Sequence, residues 1–331
     1  MERFALAAAV VLGFALTAAL CSLFVPLRRV LERREQQQQP VQSEQPRPAP
    51  LRAPLWGGLC AAAGTVAAVG VGWLAACVGQ PELLGSEGRL MTRLLTALAG
   101  SLAFGAVGLA EDLARMRSPA ALGLRRDVRL LLEALAAAFV LLLLRAAGCL
   151  PRGLGVPGAG YVLLGSAVPF LWAVLMVALA ECARIAERDE GAVCGAAFVA
   201  MLALMMVEAG LGVSGLAVLP AALAGALVAL GLWAFPPARL GVGCCGSLLA
   251  AGAIGCIPLS LDMTSLTVPL ALPFWAAGGL LAAQLLCAKR SGKPLRCWVK
   301  KHKMSPETVF LCSFALSAVG YVLALALLRW C

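Results

Sequence analysis

Charged residues are scarce in this sequence, and histidine is nearly absent. Asp, Glu, Lys and Arg make up 13% of the 331 residues, one histidine is present, and 61% of the residues are hydrophobic. Soluble globular domains carry about 45–50% apolar residues, so the composition excludes a soluble fold. The 13 cysteines form no C-x-x-C pair and no Cys/His spacing typical of metal sites. Most lie in apolar stretches, where cysteine acts as a small hydrophobic residue.

Long apolar runs fill the chain instead. A helix needs roughly 20 apolar residues to cross about 30 Å of hydrocarbon. Ten stretches meet this requirement: residues 4–26, 56–78, 91–110, 129–148, 160–180, 192–209, 212–234, 245–261, 266–288 and 308–328. The sequence therefore predicts an all-α, polytopic membrane protein with about ten transmembrane helices in a single domain, 1–331. Residues 27–55 are rich in Gln and Pro, which predicts a flexible cytoplasmic loop.

The positive charge falls mostly on one predicted side of the membrane. The formal net charge is +10, and 21 of the 27 Lys and Arg residues lie in or beside the connections that follow the odd-numbered stretches. The positive-inside rule places these connections in the cytoplasm and both termini outside. The first stretch has no clear cleavage site after it and is predicted to be retained. The basic excess therefore indicates topology and binding to phosphates at the inner leaflet, not nucleic-acid binding.

Polar residues gather in the loops predicted to be cytoplasmic. The segment "GLAEDLARMR" sets Glu111 and Asp112 side by side at the end of the third stretch, with Arg115 and Arg117 beyond them. Placing a carboxylate pair beside a bilayer is costly, so the pair is either a solvated loop end or a functional site. Three further loops read "ECARIAERDEG", "WAFPPARLGVGCCGS" and "KRSGKPLRCWVKKHKMSPE". No single motif is specific for one protein family, but the order of the motifs along the chain is.

In that order, the motifs resemble those of the polyprenyl-phosphate sugar-1-phosphate transferases, which include phospho-N-acetylmuramoyl-pentapeptide transferase. The T-P-x-x-G-G pattern of this superfamily is matched by Pro54, Gly57 and Gly58. Its G-x-x-D-D-x-x-K pattern and the G-L-x-x-x-x-K-L-x-x-Q pattern that follows are similar to Gly108, Glu111, Asp112 and Arg115, then Gly123, Leu124, Arg129, Leu130 and Glu133. Its N-x-P-A-x-x-x-x-G-D-x-G-S pattern is similar to Pro237, Ala238, Gly243, Gly246 and Ser247.

The departures from the superfamily pattern fall on the residues that carry its chemistry. Glu111 replaces the first Asp of the pair, and Arg115 replaces the Lys. The amides and aspartates of an N-x-x-N-x-x-D-G-x-D-G segment map onto Glu181, Arg184, Glu187 and Glu190. The aspartate that binds Mg²⁺ in G-D-x-G-S is Cys244 here, and a cluster of histidines in the last loop is reduced to His302.

The resemblance implies that the protein transfers a sugar phosphate from a nucleotide sugar to a polyprenyl phosphate. It places the reaction in the synthesis of cell-envelope polysaccharide or peptidoglycan, at a bacterial plasma membrane, with a site formed by cytoplasmic loops. It further implies Mg²⁺ as the cofactor, and leaves a homodimer or other envelope-synthesis proteins open as partners. The residue roles that it implies are catalysis by Asp112 and Glu111, metal binding by Asp112 with Cys244 at the position of the Mg²⁺ ligand, and substrate binding by Arg115, Arg129, Glu187, Glu190 and His302.

Three interpretations remain open at this point. The protein is a diverged but working transferase, or an inactive paralogue that keeps the fold to bind a lipid phosphate or to organise an envelope-synthesis complex, or an unrelated transporter. The combined loss of the Mg²⁺ aspartate, the amides and most of the histidines favours the inactive paralogue, and the thiol of Cys244 is a soft ligand where Mg²⁺ prefers oxygen. A transporter is expected to carry broken helices or charges at the centre of the membrane, and the apolar stretches contain neither.

Overall fold

The computed structural model describes residues 2–38, 56–79, 88–117, 123–151, 153–156, 160–163, 165, 167–187, 191–213, 215–235, 239–280 and 306–330. This part of the chain is almost entirely helical, which confirms the all-α fold class. The helices are α1 (Glu2–Gln38), α2 (Gly57–Gly79), α3 (Gly88–Arg117), α4 (Arg126–Ala146), α5 (Ala167–Ala186), α6 (Ala192–Gly210), α7 (Val218–Ala234), α8 (Gly243–Ser260), the single turn α9 (Thr267–Leu270), α10 (272–280) and α11 (Pro306–Trp330).

Seven helices of the described chain are long and apolar enough to cross a membrane, namely α1, α2, α3, α5, α6, α8 and α11. The protein is therefore a multi-pass membrane protein by the length and composition of its helices. Helix α7 is apolar but has 17 residues, and α4 carries Arg126, Asp127, Arg129 and Glu133 in its first turns. The count of ten spans and the outside position of both termini stay predictions.

Helix α8 forms the centre of the bundle. Its apolar segment is 100% buried inside the protein. The helix packs chiefly against α3, with further contacts to α5, α2 and α6. Helix α1 packs on α7 and α2, while α11 lies against α6. The sequence of α8, GCCGSLLAAGAIGCIPLS, is made largely of small residues. Small side chains let neighbouring helix backbones approach closely, which explains why this helix takes the central position.

Two glycines show this close approach at the beginning of α8. A Cβ atom added to Gly58 in α2 would overlap the backbone nitrogen of Gly246, and one added to Gly108 in α3 would overlap the carbonyl oxygen of Cys244. The backbone N–H of Gly57 also donates to the carbonyl of Gly241, at 3.2 Å. Glycine at positions 57 and 58 therefore allows the beginning of α2 to pack closely against the beginning of α8.

Several predicted boundaries are wrong. The stretch 160–180 begins in a strand, because β1 (Gly153–Val156) pairs antiparallel with β2 (Gly160–Leu163), in the register Gly153 to Leu163. The stretch 266–288 begins in a 3₁₀ turn, Thr264–Leu266, followed by α9 and α10. Helix α1 continues to Gln38 into the predicted loop 27–55. Residues 39–55 lie outside the described part, so the flexibility of that loop stays a prediction.

Candidate functional site

The third and fifth apolar stretches continue as helix beyond their predicted ends. Helix α3 runs to Arg117 instead of ending at 110, and α5 runs to Ala186 instead of 180. Glu111, Asp112 and Arg115 are therefore helical residues, and the expectation that they lie on a loop is wrong. Helical spacing brings Arg115 next to Glu111, four residues earlier, with 2.8 Å between Nη2 and Oε1.

Asp112 caps the beginning of α8 from a neighbouring helix. Its two carboxylate oxygens accept hydrogen bonds from the backbone N–H groups of Cys244, at 3.0 Å, and Cys245, at 2.9 Å. The first N–H groups of a helix have no partner within that helix, and α8 has no side-chain cap of its own. The close contact at Gly108, one turn before Asp112, brings the carboxylate within reach. Asp112 is 1% exposed, so its interaction with the positive end of α8 is shielded from water.

Glu187 and Cys244 complete a compact group with Asp112. Glu187 directly follows α5, and its Oε2 accepts a hydrogen bond from the thiol of Cys244, at 2.9 Å. One ligand atom from each of Asp112, Glu187 and Cys244 lies within 4.8 Å of the other two, and the group is largely buried. We call these three residues the triad. Nη1 of Arg115 lies 3.4 Å from Oε2 of Glu187 and 4.0 Å from Oδ1 of Asp112, so its guanidinium group borders the triad.

A second set of charges joins the beginning of α4 to the end of α5. Glu181 accepts from Nε of Arg129 at 2.7 Å and from Nη2 of Arg184 at 2.6 Å. Arg129 also lies 3.8 Å from Glu111, which links this set to Arg115. Glu133, one turn further along α4, is fully buried, and neither of its oxygens has a hydrogen-bond partner among the described residues. Burying a charge without a partner is very costly, so the neutral carboxyl group is the favoured form of Glu133.

Gly123 supports the arginine at the border of the triad. It adopts φ +71°, a left-handed conformation that suits glycine. A Cβ atom added there would lie 3.1 Å from Cγ and 3.3 Å from Nε of Arg115. The glycine of the predicted G-L motif therefore leaves room for the side chain of Arg115 as the chain enters α4.

The structure brings together most of the predicted site residues that it describes. One connected network of ion pairs and hydrogen bonds contains Glu111, Asp112, Arg115, Arg129, Glu187 and Cys244. We call these six residues, together with Glu181 and Arg184, the charged end. Arg125 and Arg126 stay exposed. Glu190 and His302 lie outside the described residues, so their predicted substrate-binding roles stay predictions, like the other assigned roles.

The backbone N–H of Cys245 and the central position of Glu181 do not follow from the motifs, which identify Glu181 only as the replacement of a family amide. Its spacing of three residues from Arg184 on a helix was a signal for an ion pair. The absence of a Ser, Thr, Asp or Asn at the beginning of α8 was a signal that another part of the chain caps this helix.

The donor atoms of the triad do not fit Mg²⁺, the cofactor that the resemblance implies. Mg²⁺ demands near-ideal octahedral geometry from hard oxygen ligands. One of the three donors here is a thiol, a soft ligand in place of the oxygen that Mg²⁺ prefers. Magnesium binding therefore stays a prediction from the resemblance, without support from this donor set.

The match to a known family covers the part of the chain that carries the charged end. The family model described as glycosyl transferase family 4 matches residues 94–262, which include α3 from Leu94 onward and all of α4 to α8. No curated protein matches the chain. The matched residues make up half of the chain and contain every residue of the charged end, in the order that the motifs predicted. The chain belongs to glycosyl transferase family 4, in the superfamily of membrane polyprenyl-phosphate sugar-1-phosphate transferases.

Proposed function

We propose that this protein transfers a sugar phosphate from a nucleotide sugar to a polyprenyl phosphate at the charged end of its helix bundle. The observation that carries the proposal is the convergence of Asp112, Glu187 and Cys244 within 4.8 Å, bordered by Arg115, inside the part of the chain that matches the family. These residues come from three separate parts of the sequence. A buried set of charged groups drawn from α3, α5 and α8 is a recognised mark of a functional site.

The chemistry requires two anions to meet. An oxygen of the lipid phosphate attacks the phosphorus that carries the sugar, a new P–O bond forms, and the bond to the departing nucleoside monophosphate breaks. Phosphoryl transfer depends mainly on positioning and charge neutralisation, which positively charged side chains supply. Arg115 has a side-chain exposure of 22%, so it both binds carboxylates and reaches the solvent side of the site. We assign it the neutralisation of phosphate oxygens.

Two exposed arginines extend this positive charge toward the lipid. Arg125 and Arg126 lie at the beginning of α4 and are exposed, whereas Arg129, one turn later, is buried against Glu181. This exposed pair is therefore a better candidate than Arg129 for the first contact with the lipid phosphate. Arg129 is better suited to hold α5 in place, because it is only 7% exposed and its Nε donates to Glu181 at 2.7 Å.

Asp112 and Glu187 have different tasks in this proposal. Asp112 is held by two backbone N–H groups, so it positions the beginning of α8 beside α3. Among the described residues, Glu187 accepts only from the Cys244 thiol and from two long contacts to Arg115, at 3.4 and 3.5 Å. Glu187 is therefore the triad carboxylate that is free to exchange partners when substrate binds. By the resemblance, we place this reaction in envelope polysaccharide or peptidoglycan synthesis, on the cytoplasmic side of a bacterial plasma membrane.

The experiment measures release of nucleoside monophosphate by the purified protein in detergent. The assay combines a panel of nucleoside diphosphate sugars with a polyprenyl phosphate, and supplies Mg²⁺, Mn²⁺ or Zn²⁺ in parallel reactions. We expect release with at least one sugar. Arg115→Gln lowers the rate about 100-fold, the scale for removing one positioned donor from a developing negative charge. Arg145→Gln, an exposed arginine at the opposite end of α4, serves as the matched control and keeps the full rate.

The inactive paralogue is the other outcome of this assay. A protein that binds polyprenyl phosphate but releases no nucleotide under any condition overturns the transferase and supports the paralogue. Lipid binding is measured separately with labelled polyprenyl phosphate, comparing the wild type with Arg125→Gln/Arg126→Gln. Equal binding by the wild type and the double variant removes these two arginines from the proposed lipid site.

A further inference from the structure

The triad combines a hard and a soft set of ligands around one point. Asp112 and Glu187 offer carboxylate oxygens, and Cys244 offers sulfur, all within 4.8 Å of one another. Zn²⁺ binds this mixture, and its catalytic sites hold the ion by three protein ligands with a fourth position left for water or substrate. Tetrahedral ligands at about 2.0–2.3 Å from the metal lie about 3.5 Å apart. Cys244 Sγ lies 2.9 Å from Glu187 Oε2, so these two atoms have to separate by about 0.6 Å to bind one tetrahedral ion.

The charge balance of the charged end leaves room for a divalent cation. Among the described residues, ion pairs connect three arginines, Arg115, Arg129 and Arg184, with four carboxylates, Glu111, Asp112, Glu181 and Glu187. These seven groups carry one net negative charge. A metal ligand must be deprotonated, so binding through Cys244 releases the thiol proton to solvent and adds a second negative charge. One divalent cation then balances the charge of these described groups, which a largely buried site favours.

The present partners of the triad can be exchanged without leaving a buried group unpaired. Glu187 is bound to Arg115 only through contacts of 3.4 and 3.5 Å, whereas Arg115 keeps its 2.8 Å bond to Glu111. The oxygens of Asp112 each accept one backbone hydrogen bond and retain a second lone pair. The thiol of Cys244 donates to Glu187, and in the metal-bound form both atoms become ligands of the same ion.

We propose that the triad Asp112–Glu187–Cys244 binds a divalent cation of borderline softness, of the Zn²⁺ class, in preference to Mg²⁺. The exchange of the family aspartate for Cys244 thus changes the choice of metal instead of abolishing it. The open fourth position takes a water or a phosphate oxygen. The inference rests on the proposed function for its location in a phosphate-binding site, but metal binding is measured without any substrate.

The test uses Co²⁺ as a spectroscopic probe for Zn²⁺. The full-length protein in detergent is stripped of metal and titrated with Co²⁺, and the near-ultraviolet charge-transfer band of a thiolate–Co²⁺ bond is recorded. We expect one equivalent of Co²⁺ to produce the band in the wild type, Zn²⁺ to remove it at equal concentration, and Mg²⁺ in large excess to leave it unchanged. The affinity for Zn²⁺ is measured in the same titration by competition.

Two adjacent cysteines give a matched pair of variants. Cys244→Ser loses the band, and its Zn²⁺ affinity falls by more than the roughly 10–100-fold seen when a group that only orients a ligand is lost. Cys245→Ser keeps both, because the Cys245 thiol is not part of the triad. Cys244→Asp provides a second route if the serine variant is unstable. It lacks the band, and Mg²⁺ competes with Zn²⁺ at least ten-fold better than in the wild type.

Each result bears on one proposal at a time. A wild type without the band, a band that survives in Cys244→Ser, or a band removed by Mg²⁺ overturns the metal inference. Nucleotide release that requires Mg²⁺ in a protein without the band overturns the inference and leaves the transferase standing. A band that follows the expected pattern in a protein without transfer supports the inference and overturns the transferase.

Discussion

Helices α8 and α11 contrast sharply, although both are apolar and long enough to span a membrane. The apolar segment of α8 is 100% buried and has a mean hydropathy of 1.6. The apolar segment of α11 is 17% buried and has a mean hydropathy of 2.2. The more hydrophobic helix is therefore the more exposed one. Lipid tails are as apolar as leucine, so a helix whose surface faces lipid needs large apolar side chains, and these raise its mean hydropathy. A central helix must instead be thin, and α8 meets that need with Gly, Ala, Cys and Ser.

The contrast extends to polar groups. At its beginning, α8 binds Asp112 through the backbone N–H groups of Cys244 and Cys245, and Glu187 through the thiol of Cys244. Among the described residues of α11, Ser313 and Ser317 bond back to carbonyls of their own helix, at 2.8 and 2.9 Å. The side chain of Cys244 in α8 thus binds Glu187 at the end of another helix, whereas Ser313 and Ser317 of α11 bind carbonyls of their own helix. Three pairs of variants measure how far this difference in surroundings determines stability.

The largest effect is expected where α2 touches the beginning of α8. In Gly58→Ala the added methyl group overlaps the backbone nitrogen of Gly246, which cannot move without shifting α8. We expect the free energy of unfolding to fall by about 3 kcal/mol, the upper end for overpacking a core. Gly70→Ala on the same helix is the matched control, since nothing lies within 4 Å of the added atom. Replacing that helical glycine should stabilise the protein by about 0.5–1 kcal/mol.

Thermal unfolding in detergent, followed by circular dichroism, measures both variants. Equal stability of Gly58→Ala and Gly70→Ala would show that α2 and α8 are further apart than the structure has them. The central position of α8 would then have no packing basis.

How far the sequence predicts this structure follows from the same contrast. Hydropathy located the helices that face lipid, such as α11, because their length and composition are dictated by the bilayer. It failed at the ends of α3 and α5, where Glu111 to Arg117 and Glu181 to Arg184 continue as helix. Glu111, Asp112 and Glu181 bind partners on other helices, and the hydropathy of one segment contains no information about such partners.

The hairpin before α5 was missed for a different reason. Residues 160–163 are apolar enough to be counted as the beginning of a span, although the segment "VPGAG" carries a strong turn signal.

The candidate site was predicted better than the boundaries. The motif order brought Asp112, Glu187 and Cys244 together in the prediction because it reflects a shared fold, not because their chemistry is visible in any one segment.

An intermediate effect is expected from removing the charge that caps α8. Asp112→Asn keeps one acceptor oxygen but turns an NH₂ group toward the second backbone N–H, at Cys244 or Cys245. We expect a loss of about 2 kcal/mol in the free energy of unfolding, the scale of a buried charge-assisted hydrogen bond. Asp127→Asn, an exposed carboxylate in the first turn of α4, is the matched control and should cost about 0.5 kcal/mol.

The same thermal unfolding assay applies, and salt separates the two carboxylates. Raising the ionic strength weakens the exposed interaction of Asp127 but leaves the buried one of Asp112 nearly unchanged. A cost for Asp112→Asn that disappears in high salt contradicts a buried cap, and would place Asp112 in contact with water.

The smallest effect is expected on the outer face of α11. Val322 is 64% exposed, so Val322→Ala removes two methyl groups that lipid or detergent replaces, and no cavity forms. We expect a change below about 0.5 kcal/mol. Val140→Ala is the matched substitution at a position that is 1% exposed, and it should cost about 2 kcal/mol, since both methyl groups leave a cavity. If Val322→Ala costs as much as Val140→Ala in unfolding experiments, α11 is not a lipid-facing helix. Its outer face would then be covered by another protein surface, such as the second copy of the chain that the resemblance leaves open.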